Sequence, residues 1–90
     1  MKTYLLTVST PDGNRFHGQV LFLSLRGAEG ELAVMADHAP FITSVLDCDV
    51  HIETAEQTDL YGHTQGGLLT VAPEGVTLLA GDFVWQDEKS

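Results

Sequence analysis

The sequence predicts an all-β domain, an antiparallel sandwich or closed barrel built from about eight short strands. Apolar side chains alternate with polar ones at a period of two, and the alternating stretches are short and separated by glycine, proline and aspartate. No window sustains the helical period, so the helices that a parallel α/β sheet needs between its strands are not expected.

The first strand is expected over Thr3 to Val8, with Tyr4, Leu6 and Val8 on one face and Thr3, Leu5 and Thr7 on the other. Pro11-Asp12-Gly13-Asn14 turns the chain into Phe16 to Leu25, a stretch dense in Phe, Val and Leu. That strand ends at Arg26-Gly27-Ala28-Glu29-Gly30, where glycines open backbone conformations closed to other residues. Glu31 to Met35, Phe41 to Leu46 and Val50 to Thr54 follow, separated by Ala36 to Pro40 and by the polar Asp47-Cys48-Asp49. Pro40 argues against a helix across the first gap. Glu56 to Asp59 reads as a hairpin turn into Leu60 to Gln65, and Gly66-Gly67 then marks a bulge or a close strand crossing. Leu68 to Ala72, the turn Pro73-Glu74-Gly75 and Val76 to Ala80 complete the series. Residues 1–82 are read as one domain and residues 83–90 as a polar tail.

A chain of 90 residues supports one modest core, burying roughly 60–65% of its unfolded surface. Thirteen acidic residues against four basic ones give a formal charge of -9, which repels an extended phosphate backbone, so nucleic acid is not expected as a partner. Cys48 is the single cysteine and cannot form an internal disulfide, and the N-terminus lacks the regions of a signal peptide; an intracellular protein is expected. No stretch approaches the roughly 20 apolar residues of a membrane span, so membrane association is expected only through a partner.

The candidate chemistry is sparse. His17, His38, His51 and His63 show no recognised ligand spacing, so neither a metal nor a cofactor is expected. Asp37-His38 has the composition of an orienter and a base, but sequence neighbours rarely face each other and no serine or cysteine sits in a nucleophile motif. A polar turn is the preferred reading, and no catalytic residue is assigned. Gly66-Gly67 lacks the lysine and the helix of a phosphate loop. The carboxylates beside Cys48 disfavour its thiolate, which argues against a reactive nucleophile. Glu29 and Glu31 flank Gly30 in a loop that cannot hide two carboxylates, so they face solvent or a partner's cations.

Several of these stretches together resemble one known family, the N-terminal domain of the epsilon subunit of the F-type ATP synthase. Glu29 to Pro40, EGELAVMADHAP, resembles its Glu-Gly-Glu-Leu-Gly-Ile followed by Pro-Gly-His-Ala-Pro; Gly66 to Val71, GGLLTV, resembles its Gly-Gly-x-Leu-Glu-Val; and Val76 to Ala80 and the opening MKTYLLTVSTPDG fit the flanking strands. The likeness runs from Met1 to about Ala80 without a gap. It implies a flattened antiparallel β-sandwich of about eight to ten short strands, acting as a non-catalytic rotor subunit between the gamma subunit and the c ring on the cytoplasmic face of a bacterial inner membrane. By the same resemblance the loop Glu29, Gly30 and Glu31 falls to the c ring, and Thr10, His38 and Thr43 fall toward gamma.

The chain departs from the family pattern at several points. Ala36-Asp37 replaces Pro-Gly, so Asp37 is expected to make the left-handed turn. Ala33 replaces a usual glycine and Thr70 a usual glutamate, while Asp47-Cys48-Asp49 replaces Lys-Pro-Gly and reverses the local charge. Leu21 and Phe22 stand where polar residues are usual, either as extra core or as an apolar contact with gamma. Typical epsilon subunits continue into a helical hairpin that inhibits ATP hydrolysis, and GDFVWQDEKS, Gly81 to Ser90, bears no likeness to it. A naturally short subunit that couples without autoinhibition is therefore expected. The alternative weighed is a carbohydrate-type binding sandwich; such modules display aromatic platforms, and aromatics make up only 8% of this chain.

Overall fold

The computed structural model describes residues 2–86, and among them the chain forms nine strands and no helix. They are β1 (Tyr4–Thr10), β2 (Gly13–Gly27), β3 (Gly30–Met35), β4 (Phe41–Val45), β5 (Cys48–Thr54), β6 (Asp59–Thr64), β7 (Gly67–Ala72), β8 (Gly75–Ala80) and β9 (Val84–Gln86). The long strand β2 organises them, because it takes part in both layers. Its first half pairs with β1, from Thr10↔Gly13 to Tyr4↔Val20, and its second half pairs on the same edge with β3, from Phe22↔Met35 to Gly27↔Gly30. Its other edge takes β5 between Val20 and Ser24 and meets Val45 of β4 at Gly27. One layer therefore runs β1-β8-β7-β4 and the other β3-β2-β5-β6-β9, with the β1–β2 pairing closing the first into a ring.

Eight of the nine pairings are antiparallel, as expected; β1 and β8 run parallel, with Leu6 opposite Val76 and Ser9 opposite Leu79. No short turn joins these two strands, so the constraint that makes hairpins antiparallel does not apply to them. Between the layers lies a core of Leu6, Val8, Val20, Leu23, Leu25, Val34, Val45, Val50, Ile52, Leu69, Val71, Val76, Leu78, Ala80 and Phe83. Tyr4 packs against its margin and donates its hydroxyl to the Val34 carbonyl at 2.7 Å, and burial pushes that hydroxyl's pKa up.

The ends of the elements show what period and composition leave open. The stretch expected as a tail from residue 83 contains β9, which pairs with β6 while Phe83 sits in the core; residues 87–90 lie outside the described residues. Phe83 and Trp85 face the protein, an alternation too short to register as a period. Strand β5 starts at Cys48 rather than Val50, because Cys48 and Asp49 find partners in Thr64 and His63. The close crossing expected at Gly66-Gly67 is present: a Cβ on Gly67 would run into the Leu79 carbonyl oxygen. Asp37 makes its turn at φ 68, in the left-handed region, as anticipated. Leu21 and Phe22 are half-buried outside the main core, with Leu21 at the irregularity where the β2–β5 register shifts.

Candidate functional site

The hairpin joining β2 to β3 closes at Gly27↔Gly30, which leaves Ala28, Glu29, Gly30 and Glu31 exposed at its tip. Gly30 has φ 122, and no atom lies within 4 Å of the position a Cβ would take. Glu31 stands opposite Arg26, whose Nη2 lies 3.7 Å from Glu31 Oε2; both side chains are more than half exposed, so the pair contributes little. Among the described residues Glu29 has neither a hydrogen-bond nor an ion-pair partner. Backbone contacts hold the β4–β5 turn against this hairpin: Leu46 N–H donates to the Arg26 carbonyl at 3.0 Å, and Arg26 N–H donates to Cys48 Sγ at 3.3 Å. Glu29, Glu31, Asp47 and Asp49 thus stand at one end of the sandwich. The Cys48 thiol is pushed up in pKa by burial first, with the Asp49 and Asp47 charges adding to it.

The structure distributes the other candidate residues. Thr43 lies beside the hairpin, within contact distance of Gly27, and an open groove of about 450 Å³ is lined by Gly27 to Leu32 together with Phe41, Ile42 and Thr43. Thr10 ends β1, with β8 and β7 between it and β4, and its hydroxyl is engaged locally by the Asp12 N–H at 3.2 Å. His38 occupies the β3–β4 turn, with Nδ1 2.9 Å from the Ala39 carbonyl and its ring 5.0 Å from that of Phe41. Asp37 turns instead to Lys2 Nζ at 2.8 Å, so the Asp37-His38 pair is a polar turn and not an acid–base dyad. Among the described residues no group of three or more His, Cys, Asp or Glu side chains is arranged to hold a metal ion.

Register reveals a surface that the sequence reading missed. On the outer face of β1-β8-β7-β4, Ile42 lies in one row with Thr70, Thr77 and Thr7, and Ser44 lies in the next row with Leu68, Leu79 and Ser9. Ile42 is 67% exposed, Leu79 51% and Leu68 39%, and no charged side chain interrupts either row. In a chain with a net charge of -9 this face is uncharged, with Ile42, Leu68 and Leu79 as its exposed apolar side chains among threonines and serines. The alternation of each strand was legible, but only the ladder registers align these residues into rows. On the outer face of the other layer, His51 stacks on Tyr61 with ring centroids 4.6 Å apart, meets Phe22 edge-on at 5.2 Å and pairs with Asp59 at 3.0 Å.

Known proteins supply an independent comparison. Residues 3–86 match the family described as "ATP synthase, Delta/Epsilon chain, beta-sandwich domain". The ATP synthase epsilon chain of Caulobacter vibrioides is 39% identical over 70 residues, covering 78% of this chain and 80% of that protein. The epsilon chain of Verminephrobacter eiseniae is 38% identical over 80 residues; the match covers 89% of this chain but 58% of that longer relative. Among solved structures, a chain of the Euglena gracilis mitochondrial ATP synthase, in an assembly of OSCP, F1 and c-ring, superimposes with a TM-score of 0.88 at 20% identity. That match covers 98% of this chain and 56% of the other, and at such identity it speaks for the fold alone.

Proposed function

The chain belongs to the ATP synthase delta/epsilon β-sandwich family, and we propose that it is a non-catalytic rotor subunit joining the gamma subunit to the c ring, coupling ion translocation to ATP synthesis and hydrolysis. The family match over residues 3–86 carries this reading. Two surfaces support its mechanism. The exposed Glu29-Gly30-Glu31 tip offers carboxylates, Glu29 without a partner among the described residues, that can make charge-assisted bonds to cationic loops of a ring. The uncharged face around Ile42, Leu68 and Leu79 offers apolar area for a shaft subunit, and Thr43 lies between the two surfaces. Thr10 and His38 would join the gamma contact from separate turns. A subunit of this kind sits on the membrane only through its complex, on the cytoplasmic face in a bacterium.

The finer reading, coupling without autoinhibition, draws on the stretch Gly81 to Ser90, which bears no likeness to the start of the inhibitory hairpin. The test is a pull-down of the 90-residue chain with the gamma subunit of its own synthase, followed by addition of c rings. Stoichiometric capture that tightens with the ring is expected, and Glu29→Lys with Glu31→Lys should weaken the ring-dependent step more at low salt than at high salt. Those substitutions should move folding stability by no more than about 0.5 kcal/mol. No capture by folded gamma would overturn the rotor reading, and ATP-sensitive inhibition of a catalytic head by the chain would overturn the second.

A further inference from the structure

His63 on β6 is held between two carboxylates of the β4–β5 turn region. Its Nδ1 donates to Asp49 Oδ1 at 2.9 Å, and its Nε2 lies 2.9 Å from Asp47 Oδ1. A neutral imidazole carries one N–H, so one of these contacts would then set a nitrogen lone pair against a carboxylate oxygen. Only the doubly protonated ring makes both attractive. Asp47 and Asp49 flank Cys48, the residue whose sulfur receives the Arg26 N–H, so the two pairs fasten the turn on which the β2–β3 hairpin rests.

We propose that His63 is a pH-operated lock: as an imidazolium it clamps the Asp47–Asp49 turn onto β6, and on losing a proton it releases one of the two carboxylates and loosens the turn. The groups facing the ring are consistent with this role. From β5 and its turn come Asp49 and Asp47; from β9 comes Val84, directly opposite His63 and uncharged; on β6 itself Tyr61 shares the outer face, and Asp59 beyond it is engaged by His51. Arg26, the nearby cation on β2, lies toward Glu31. The hydrogen bond to Asp49 is the largest influence on the pKa of His63 and raises it; loss of hydration comes next and opposes it, and the charges of Asp47 and Asp49 and the Asp47 hydrogen bond add to the rise. The folded chain thus holds this proton more tightly than the unfolded chain. The lock's contribution to stability is complete below the ordinary histidine value of about 6.5 and is lost as pH rises through the folded midpoint. Release also leaves the hairpin end one unit more negative, whatever docks there, so the lock stands independently of the rotor reading.

The experiment is an NMR titration of the full chain, following the His63 ring and the amide protection of Leu46 to Val50. In the wild type His63 should titrate above about 6.5, Asp47→Asn and Asp49→Asn should each lower the midpoint, and the double variant should return it to the ordinary value. Protection of the turn should fall across the same midpoint, and in His63→Gln that step should be absent. A wild-type midpoint at or below the ordinary value overturns the lock. So does a midpoint that the double Asn variant leaves unmoved, or a step in turn protection that survives in His63→Gln.

Discussion

Thr64 shows how one polar side chain ties two connections together. It is fully buried; its hydroxyl donates to the Asp82 carbonyl at 2.7 Å and accepts the Gly66 N–H at 3.1 Å, while the Asp82 carboxylate accepts the Gln65 N–H at 2.8 Å. The β6–β7 and β8–β9 connections therefore share one set of bonds, joined by Gly81 N–H to the Gly66 carbonyl at 3.1 Å. Thr64→Val keeps the shape of the side chain but leaves a carbonyl and an amide without their partner, which should cost about 1–3 kcal/mol. A urea midpoint that falls with an unchanged slope is expected; a loss below about 0.5 kcal/mol would show that water satisfies both groups.

Strand β9 has three residues and owes its place to packing more than to its ladder. Phe83 is 3% exposed and packs on Gly62 so closely that a Cβ there would overlap its ring; Trp85 meets Phe83 edge-on at 4.8 Å and Phe16 at 6.2 Å. Phe83→Ala should therefore remove about 3–5 kcal/mol, a large share of the roughly 5–15 kcal/mol that stabilises a domain of this kind. The loss is read from chemical denaturation, and Trp85 emission should shift to the red in the folded variant as its ring loses its cover. An unchanged midpoint would mean that β9 lies on the sheet without supporting it.

For the whole molecule, closure depends on contacts distant in sequence. Strand β1 pairs with β8 across the entire intervening chain, and β4 reaches its ring neighbours through β7 and the single Gly27↔Val45 bridge. Chains dominated by such pairings fold in milliseconds to seconds. Stopped-flow refolding followed by Trp85 fluorescence should show its main phase in that range, and a main phase in microseconds would contradict the closed topology. The same closure sets the acidic hairpin at one end and the uncharged rows on one face, and the two adjoin at the groove that Glu29, Ile42 and Thr43 line together.

Alternation and turn chemistry in the sequence determined the strands, most of the core and the left-handed turn at Asp37, because those depend on residues a few positions apart. Motif order was enough to place the chain in its family. The tertiary structure alone decided the parallel β1–β8 pair, the alignment of Ile42, Leu68 and Leu79 on one face, the burial of Phe83 and the capture of His63 between Asp47 and Asp49. The parallel pair and the alignment of Ile42 with Leu68 turn on the register between strands that no short turn joins, Phe83 on a segment too short to show a period, and His63 on the register of the β5–β6 hairpin, which its composition leaves open. A linear pattern carries the face of each side chain but not the neighbour it will meet across the sheet.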